Sequence, residues 1–201
     1  MAENTQRLTT TASEFHDFDD PIGDLATVGE FWQWAMSDLL GNRNRGIMAE
    51  YIVGRLIGAD MTRPRLEWDF YDLLYRDYKI EVKSSAYVQT WHQSSAQRST
   101  LSFGVAPHIG WDAVSNTLSS EKRRWVDVYV FCVFPAERHS ECRDVLDLDQ
   151  WRFYVTTTQH LEACLPPNAK VIGLARVQAI CGKAVQHTEL KAHIDSLLQT
   201  I

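Results

Sequence analysis

The first part of the chain carries apolar residues at a helical period. They recur three to five positions apart and predict an amphipathic helix near residues 27–40: Phe31, Trp34, Ala35, Leu39 and Leu40. A second helix is predicted from about 43 to 57. It should end at Gly58, because glycine readily takes the left-handed conformation that follows a helix.

The rest of the chain contains shorter apolar runs typical of strands. Leu66–Tyr75 and Lys79–Ala86 are predicted as a β-hairpin, joined by a tight turn at Arg76-Asp77-Tyr78. Further strands are predicted at 100–105, 125–134, 151–157 and 171–176, and short helices at 158–164 and 188–199. This order of elements predicts an α/β domain layered around a mixed sheet.

Charged residues interrupt the apolar pattern of the predicted hairpin. Because side chains alternate between the two faces of a strand, Glu81 and Lys83 share one face and Ile80 and Val82 share the other. Burying charges on such a strand is costly unless they pair with each other or bind a ligand.

The register of the hairpin decides whether Asp72 joins this pair. Paired residue numbers add up to a constant, and a turn at Arg76 and Asp77 gives the sum 153 and sets Asp72 opposite Glu81. A turn one residue later gives 155 and sets Asp72 opposite Lys83. Either odd sum unites the three charged residues on one face, whereas an even sum separates them.

The second predicted helix contributes an acid and two bases. Glu50 shares its face with the apolar Ile47, Val53 and Ile57, so it is either buried with a partner or an ordinary helix residue at the edge of that face. Arg43 and Arg45 lie near the helix N-terminus, where a phosphate would be favourable.

Composition indicates an ordinary globular protein. The chain has 201 residues, of which 45% are hydrophobic, and a net charge of −6. Residues 1–30 carry seven acids and one base, so the remainder is neutral and does not exclude a nucleic-acid partner. Residues 1–24 are predicted to form an acidic flexible arm, and residues 25–201 a single domain.

Location and cysteine usage complete this picture. We expect a cytoplasmic protein without a membrane partner, because the sequence has neither a signal-peptide pattern nor a long apolar run. The four cysteines are widely spaced without a CxxC pair, which favours reduced structural thiols over a zinc site.

The charged residues of the hairpin suit metal-assisted chemistry on phosphate. Carboxylate oxygens are typical Mg²⁺ ligands, and a lysine beside the metal can orient or deprotonate the attacking water and neutralise charge that develops on the phosphate. Asp72 followed by Glu81-Val82-Lys83 resembles the PD-(D/E)XK nuclease superfamily, with Tyr71 in place of the motif's proline. The likeness covers about residues 43–135 and implies a restriction-endonuclease-like three-layer core, a mixed β-sheet flanked by helices.

The resemblance also implies roles for individual residues. Asp72, Glu81 and the Val82 carbonyl would bind Mg²⁺, or Mn²⁺ as a substitute, Glu50 would complete or support this shell, and Lys83 would act on the attacking water. Substrate contacts are expected from flanking polar and basic residues, namely Arg43, Arg45, Ser84, Ser85, Gln89 and Gln93. The expected partner is DNA, cut to leave 5′-phosphate and 3′-hydroxyl ends, and a homodimer would suit cleavage of both strands.

Two other functions compete with the nuclease interpretation. One is a catalytically inactive member of the same fold that binds nucleic acid or protein. The other is a metal-free hydrolase with paired carboxylates, which the lysine beside Glu81 disfavours. Glu81 and Lys83 could also be a plain ion pair on a half-exposed sheet.

Overall fold

The computed structural model describes residues 15–67, 69–91, 99–112, 117–141 and 144–201. They form two compact units: the first contains residues 15–37 and Met61–Arg65, and the second contains Asp38–Asp60 and the described residues of Leu66–Ile201. The predicted boundary after residue 24 therefore falls inside the first unit. No helix in the described residues is long and apolar enough to cross a membrane.

The first unit holds one helix and two very short strands, β1 (Pro21–Ile22), β2 (Ala26–Thr27) and α1 (Val28–Met36). Thr27 and Glu30 form a capping box, in which the Glu30 amide donates to the Thr27 hydroxyl and the Thr27 amide donates to the Glu30 carboxylate. The helix ends four residues before the predicted limit of residue 40. At its end the Ser37 hydroxyl donates to the Gln33 carbonyl, which competes with continued helix.

The second unit contains the remaining elements. Its helices are α2 (Asn42–Ile57), α3 (Thr158–Cys164), α4 (Leu174–Cys181) and α5 (Leu190–Leu198). Its strands are β3 (Leu73–Tyr75), β4 (Tyr78–Ala86), β5 (Ser102–Gly104), β6 (His108–Asp112), β7 (Thr117–Arg123), β8 (Val128–Phe134), β9 (Arg152–Thr157) and β10 (Val171–Gly173).

A four-stranded mixed sheet organises this unit. Its order is β3-β4-β8-β9, with β4 and β8 parallel and the two outer pairs antiparallel. Every residue of β8 is buried, as expected for a strand covered on both faces. The predicted α/β class with a mixed sheet is confirmed.

Helices cover both faces of the sheet. On one face α2 and α5 pack against alternate residues of β8 that include Val128 and Val130. On the other face α3 and α4 pack against the intervening residues that include Tyr129 and Phe131. The sheet therefore separates two apolar cores, and any charged side chain on β4 must emerge beside one of them.

Several predicted elements differ from the structure. The strand predicted at 66–75 is limited to Leu73–Tyr75, and the strand predicted at 171–176 ends at Gly173, where α4 follows directly. The segment 106–124, in which no strand was predicted, contains the antiparallel β6–β7 pair. The predicted end of α2 is confirmed, because Gly58 takes a left-handed conformation with φ 77° and bonds back to Gly54.

Candidate active site

The β3–β4 hairpin has the odd register that the charged residues require. Leu73 pairs with Ile80 and Tyr75 with Tyr78, which is the sum of 153 predicted for a turn at Arg76 and Asp77. Both turn residues have positive φ, 50° and 68°, as in the tight turns that match the twist of a two-residue hairpin.

Asp72 lies just outside the regular pairing, where β3 begins. Its amide donates to the Ile80 carbonyl at 3.0 Å, although Ile80 is already opposite Leu73. Asp72 and Leu73 thus both face Ile80, an arrangement that resembles a β-bulge and that we call the bulge at Asp72. A bulge re-aims the side chain of the extra residue. The Asp72 carboxylate accepts a hydrogen bond from the Val82 amide at 2.7 Å, so it is fixed at the edge of β4 between Glu81 and Lys83.

Glu81 and Lys83 form a close ion pair on β4. The Glu81 side chain is 14% exposed and that of Lys83 is 33% exposed, so the pair is largely shielded from water. In the parallel pairing with β8, Glu81 lies beside Tyr129 and Lys83 beside Phe131. Both charges therefore belong to the face of the sheet that α3 and α4 cover.

Glu50 comes from the opposite side of the sheet. It is buried on α2, the helix that packs against the other face. Its charge and that of Asp72 act both on Lys83 and on the thiol of Cys132, which is buried in the core beneath α2. Asp72 and Glu50 therefore both contribute negative charge at Lys83, on one face of the sheet, and at Cys132, on the other.

The acids decide the charge state of Lys83. Burial by itself lowers the pKa of this lysine, but the charge and hydrogen bond of Glu81, together with the charges of Asp72 and Glu50, outweigh it and raise the pKa. The lysine is accordingly an ammonium at neutral pH. Burial, reinforced by Asp72 and Glu50, also raises the pKa of Cys132, which keeps this thiol protonated and unreactive.

The oxygen donors of the site match Mg²⁺ in kind. Asp72 and Glu81 supply carboxylates, and the Val82 carbonyl points to the same side of β4 as its amide, towards Asp72. Within the described part of the chain, no three His, Cys, Asp or Glu side chains are arranged to hold a metal ion. Glu50 acts on this group through its charge, which helps to raise the pKa of Lys83.

The residues predicted to contact substrate separate into two groups. Arg45, Ser84, Ser85 and Gln89 line one cavity of about 470 Å³. Arg43 instead is exposed and lies 3.9 Å from Glu67, so it does not share that cavity. Gln93 lies outside the described residues.

Other residues of this cavity were missed by the sequence analysis. They are Asn42, Trp91, Ser99, Thr100 and Ser102, together with the apolar Ala86. Thr100 and Ser102 alternate with the buried Leu101 and Phe103. This period of two already indicated that both polar residues share a face.

No protein-family model matches this chain, and no curated protein matches its sequence.

Proposed function

We propose that this protein is a metal-dependent deoxyribonuclease that hydrolyses DNA phosphodiester bonds on a restriction-endonuclease-like core. The observation that carries the proposal is the Asp72 carboxylate held at the Val82 amide, between Glu81 and Lys83 on the neighbouring strand. The odd hairpin register and the two-sided helical cover of the sheet agree with the D…ExK resemblance.

Asp72, Glu81 and the Val82 carbonyl would hold the metal. Bound Mg²⁺ supplies positive charge that polarises a phosphate ester and assists attack by water. The bulge at Asp72 fixes one carboxylate in advance, since its hydrogen bond to Val82 limits the freedom of the side chain. Glu50, buried on α2, adds negative charge that acts at Lys83 and would strengthen the attraction for a cation.

Lys83 would stabilise the negative charge that develops on the phosphate in the transition state. With a raised pKa it retains its proton at neutral pH, so it donates hydrogen bonds and does not act as a base in this state. The Lys83 ammonium pairs with Glu81 in the structure, and with a bound substrate it would contact phosphate oxygens, where its charge matters most in the transition state.

A second candidate function is a nucleic-acid-binding module without catalysis. The close Lys83–Glu81 pair favours it, because this pair is already neutralised without a metal. The described residues also lack a three-ligand metal cluster. Such a module would bind DNA equally well with or without a divalent ion.

A cleavage assay tests the proposal. Supercoiled plasmid and oligonucleotide substrates are incubated with Mg²⁺, Mn²⁺ or EDTA, using the wild type, Glu81→Gln and the exposed control Glu189→Gln. We expect metal-dependent cutting by the wild type and the control. Glu81→Gln should lose about 10²–10³-fold in rate, because a carboxylate that serves the reacting centre is gone.

Two results would contradict the nuclease proposal. One is the absence of cutting by the wild type with either metal, accompanied by DNA binding in a gel shift, which supports the binding module. The other is cutting by Glu81→Gln at the wild-type rate, which would assign the activity to a contaminant.

A further inference from the structure

Among the residues that the structure describes, Arg45 is a buried cation without a compensating anion. It is 2% exposed, and its guanidinium donates to the Leu40 carbonyl at 2.7 Å, to Gln89 Oε1 at 3.4 Å and to the Asn42 side-chain oxygen. All three acceptors are neutral, and Nε has no partner in the described part of the chain. Burial lowers the pKa of Arg45 only to about 10, so the charge persists at neutral pH.

Arg124 shows how this chain buries an arginine for structural purposes. It is 6% exposed and donates to the carbonyls of Val105 and Ala169 at 2.8 and 3.2 Å. In addition it has a carboxylate, Glu162, at 3.4 Å. Because an uncompensated buried charge is costly, the missing anion at Arg45 requires a separate explanation.

The cavity that Arg45 lines is chemically suited to an anion. Five hydroxyl side chains surround it, and none of its described lining residues is acidic: Ser84, Ser85, Ser99, Thr100 and Ser102. Within the described ranges, the Ser84 hydroxyl is buried without a hydrogen-bond partner, as is Arg45 Nε. The amino end of α2, a helix of 16 residues, lies at the same place, where the Gly41 amide donates to the Asp38 carboxylate at 3.1 Å.

We propose that this cavity binds a phosphate group of the nucleic acid, at a position distinct from the phosphate that is cleaved. Guanidinium matches phosphate geometry, and hydroxyls donate to phosphate oxygens. Ser84 directly follows Lys83 in β4, so the cavity adjoins the candidate active site. The phosphate would accept hydrogen bonds from Arg45 Nε and the Ser84 hydroxyl, which have no partner among the described residues.

Trp91 indicates how a strand would lie in the cavity. It is 55% exposed and lines the cavity, so its ring is available to stack against a base attached to the bound phosphate. The inference rests on the proposed function only in identifying the phosphate as part of a nucleic acid. The anion site itself stands on Arg45, Ser84 and the helix terminus.

Binding measurements in EDTA test this site separately from cleavage. The probes are inorganic phosphate and one single-stranded oligonucleotide prepared with a 5′-phosphate or a 5′-hydroxyl. The variants are Arg45→Met, Ser84→Ala, Glu81→Gln and the exposed control Arg55→Met on the same helix. Arg45→Met should fold, because an apolar side chain of similar length replaces an uncompensated buried charge.

We expect phosphate to raise the melting temperature of the wild type, Arg55→Met and Glu81→Gln, but not of Arg45→Met. Ser84→Ala should bind phosphate about tenfold more weakly, because it loses one hydrogen bond to a charged group. Ser84→Ala therefore also tests the anion site if Arg45→Met fails to fold. Preference for the 5′-phosphorylated oligonucleotide that Arg45→Met abolishes identifies a terminal phosphate. Equal binding of both forms, weakened by Arg45→Met, identifies an internal one.

The inference is overturned if phosphate and both oligonucleotides bind Arg45→Met and Ser84→Ala as they bind the wild type, or if phosphate does not bind the wild type. A functional cavity in a protein that never cuts DNA would refute the nuclease proposal alone. Cutting without phosphate binding would refute this inference alone.

Discussion

Two lysine–carboxylate pairs in the second unit stand in opposite charge environments, Lys83 with Glu81 and Lys191 with Asp195. Lys83 pairs with Glu81, and the charges of Asp72 and Glu50 also act on it. Lys191 pairs with Asp195 at 3.3 Å, and Arg76 approaches the same carboxylate at 3.2 Å. The first pair has an excess of acid and the second an excess of base.

The local partners of Asp195 account for the second pair as a structural contact. The Tyr75 hydroxyl donates to Asp195 at 2.7 Å, and this hydrogen bond, with help from the neighbouring bases, lowers the pKa of Asp195. The carboxylate is thereby satisfied, and the contact ties the β3–β4 hairpin to α5. Around Lys83 the three carboxylates of Glu81, Asp72 and Glu50 exceed the charge of one ammonium. This excess of negative charge attracts a cation.

The largest expected difference between the two pairs is in catalysis. Lys83→Met should reduce metal-dependent cleavage by about 10²–10³-fold, because the transition state loses a preorganised positive charge. Lys191→Met removes the same side chain at the other pair and should cut at the wild-type rate. Single-turnover rates on one oligonucleotide provide the measurement. Equal losses in both variants would show that the excess of acid around Lys83 has no catalytic meaning.

A smaller effect on catalysis is expected from Glu50 on α2. Glu50→Gln should weaken metal-dependent activity by about 10–100-fold, in the range observed when groups that support a metal ligand are removed. The same substitution should lower the pKa of Lys83, because the Glu50 charge helps to raise it. An NMR titration of the lysine ammonium groups measures this shift without metal or substrate. A pKa of Lys83 unchanged by the substitution would remove Glu50 from the site.

The smallest effect is expected in stability at the second pair. Tyr75→Phe removes the hydrogen bond to Asp195 and should lower the free energy of unfolding by about 1 kcal/mol. For a chain of this size the melting temperature should fall by about 2–4 °C. Thermal unfolding measures the change, and the cleavage rate should not differ from the wild type. Loss of cleavage without loss of stability would mean that the second pair also serves the reaction.

Local sequence signals predicted the parts of the fold that depend on local geometry. The end of α2 follows from Gly58, and the hairpin register follows from the alternation around Ile80 and Val82. The β6–β7 pair escaped prediction because β7 is exposed at nearly every position and has no buried face to mark it. β3 is shorter than its apolar run because pairing with β4 ends at Leu73.

The candidate site was predictable only where it depends on the local alternation of side chains along a strand. The period of two puts Glu81 and Lys83 on one face without knowledge of the rest of the chain. The contact of Asp72 with the Val82 amide depends on the bulge, which the alternation does not indicate. The cavity depends on contacts such as Arg45 to Gln89, which are 44 residues apart in the chain.

The bulge at Asp72 also has a consequence for the order of folding. The contact between Asp72 and Val82 spans ten residues, whereas Lys79 bonds to Asp127 across 48 residues at the start of the β4–β8 pairing. Closing a short loop costs less chain entropy than closing a long one, so local contacts can form before distant ones. We therefore expect the hairpin to bring Asp72 to Glu81 and Lys83 before β8 pairs with β4. These three residues would then be in place before the core has packed.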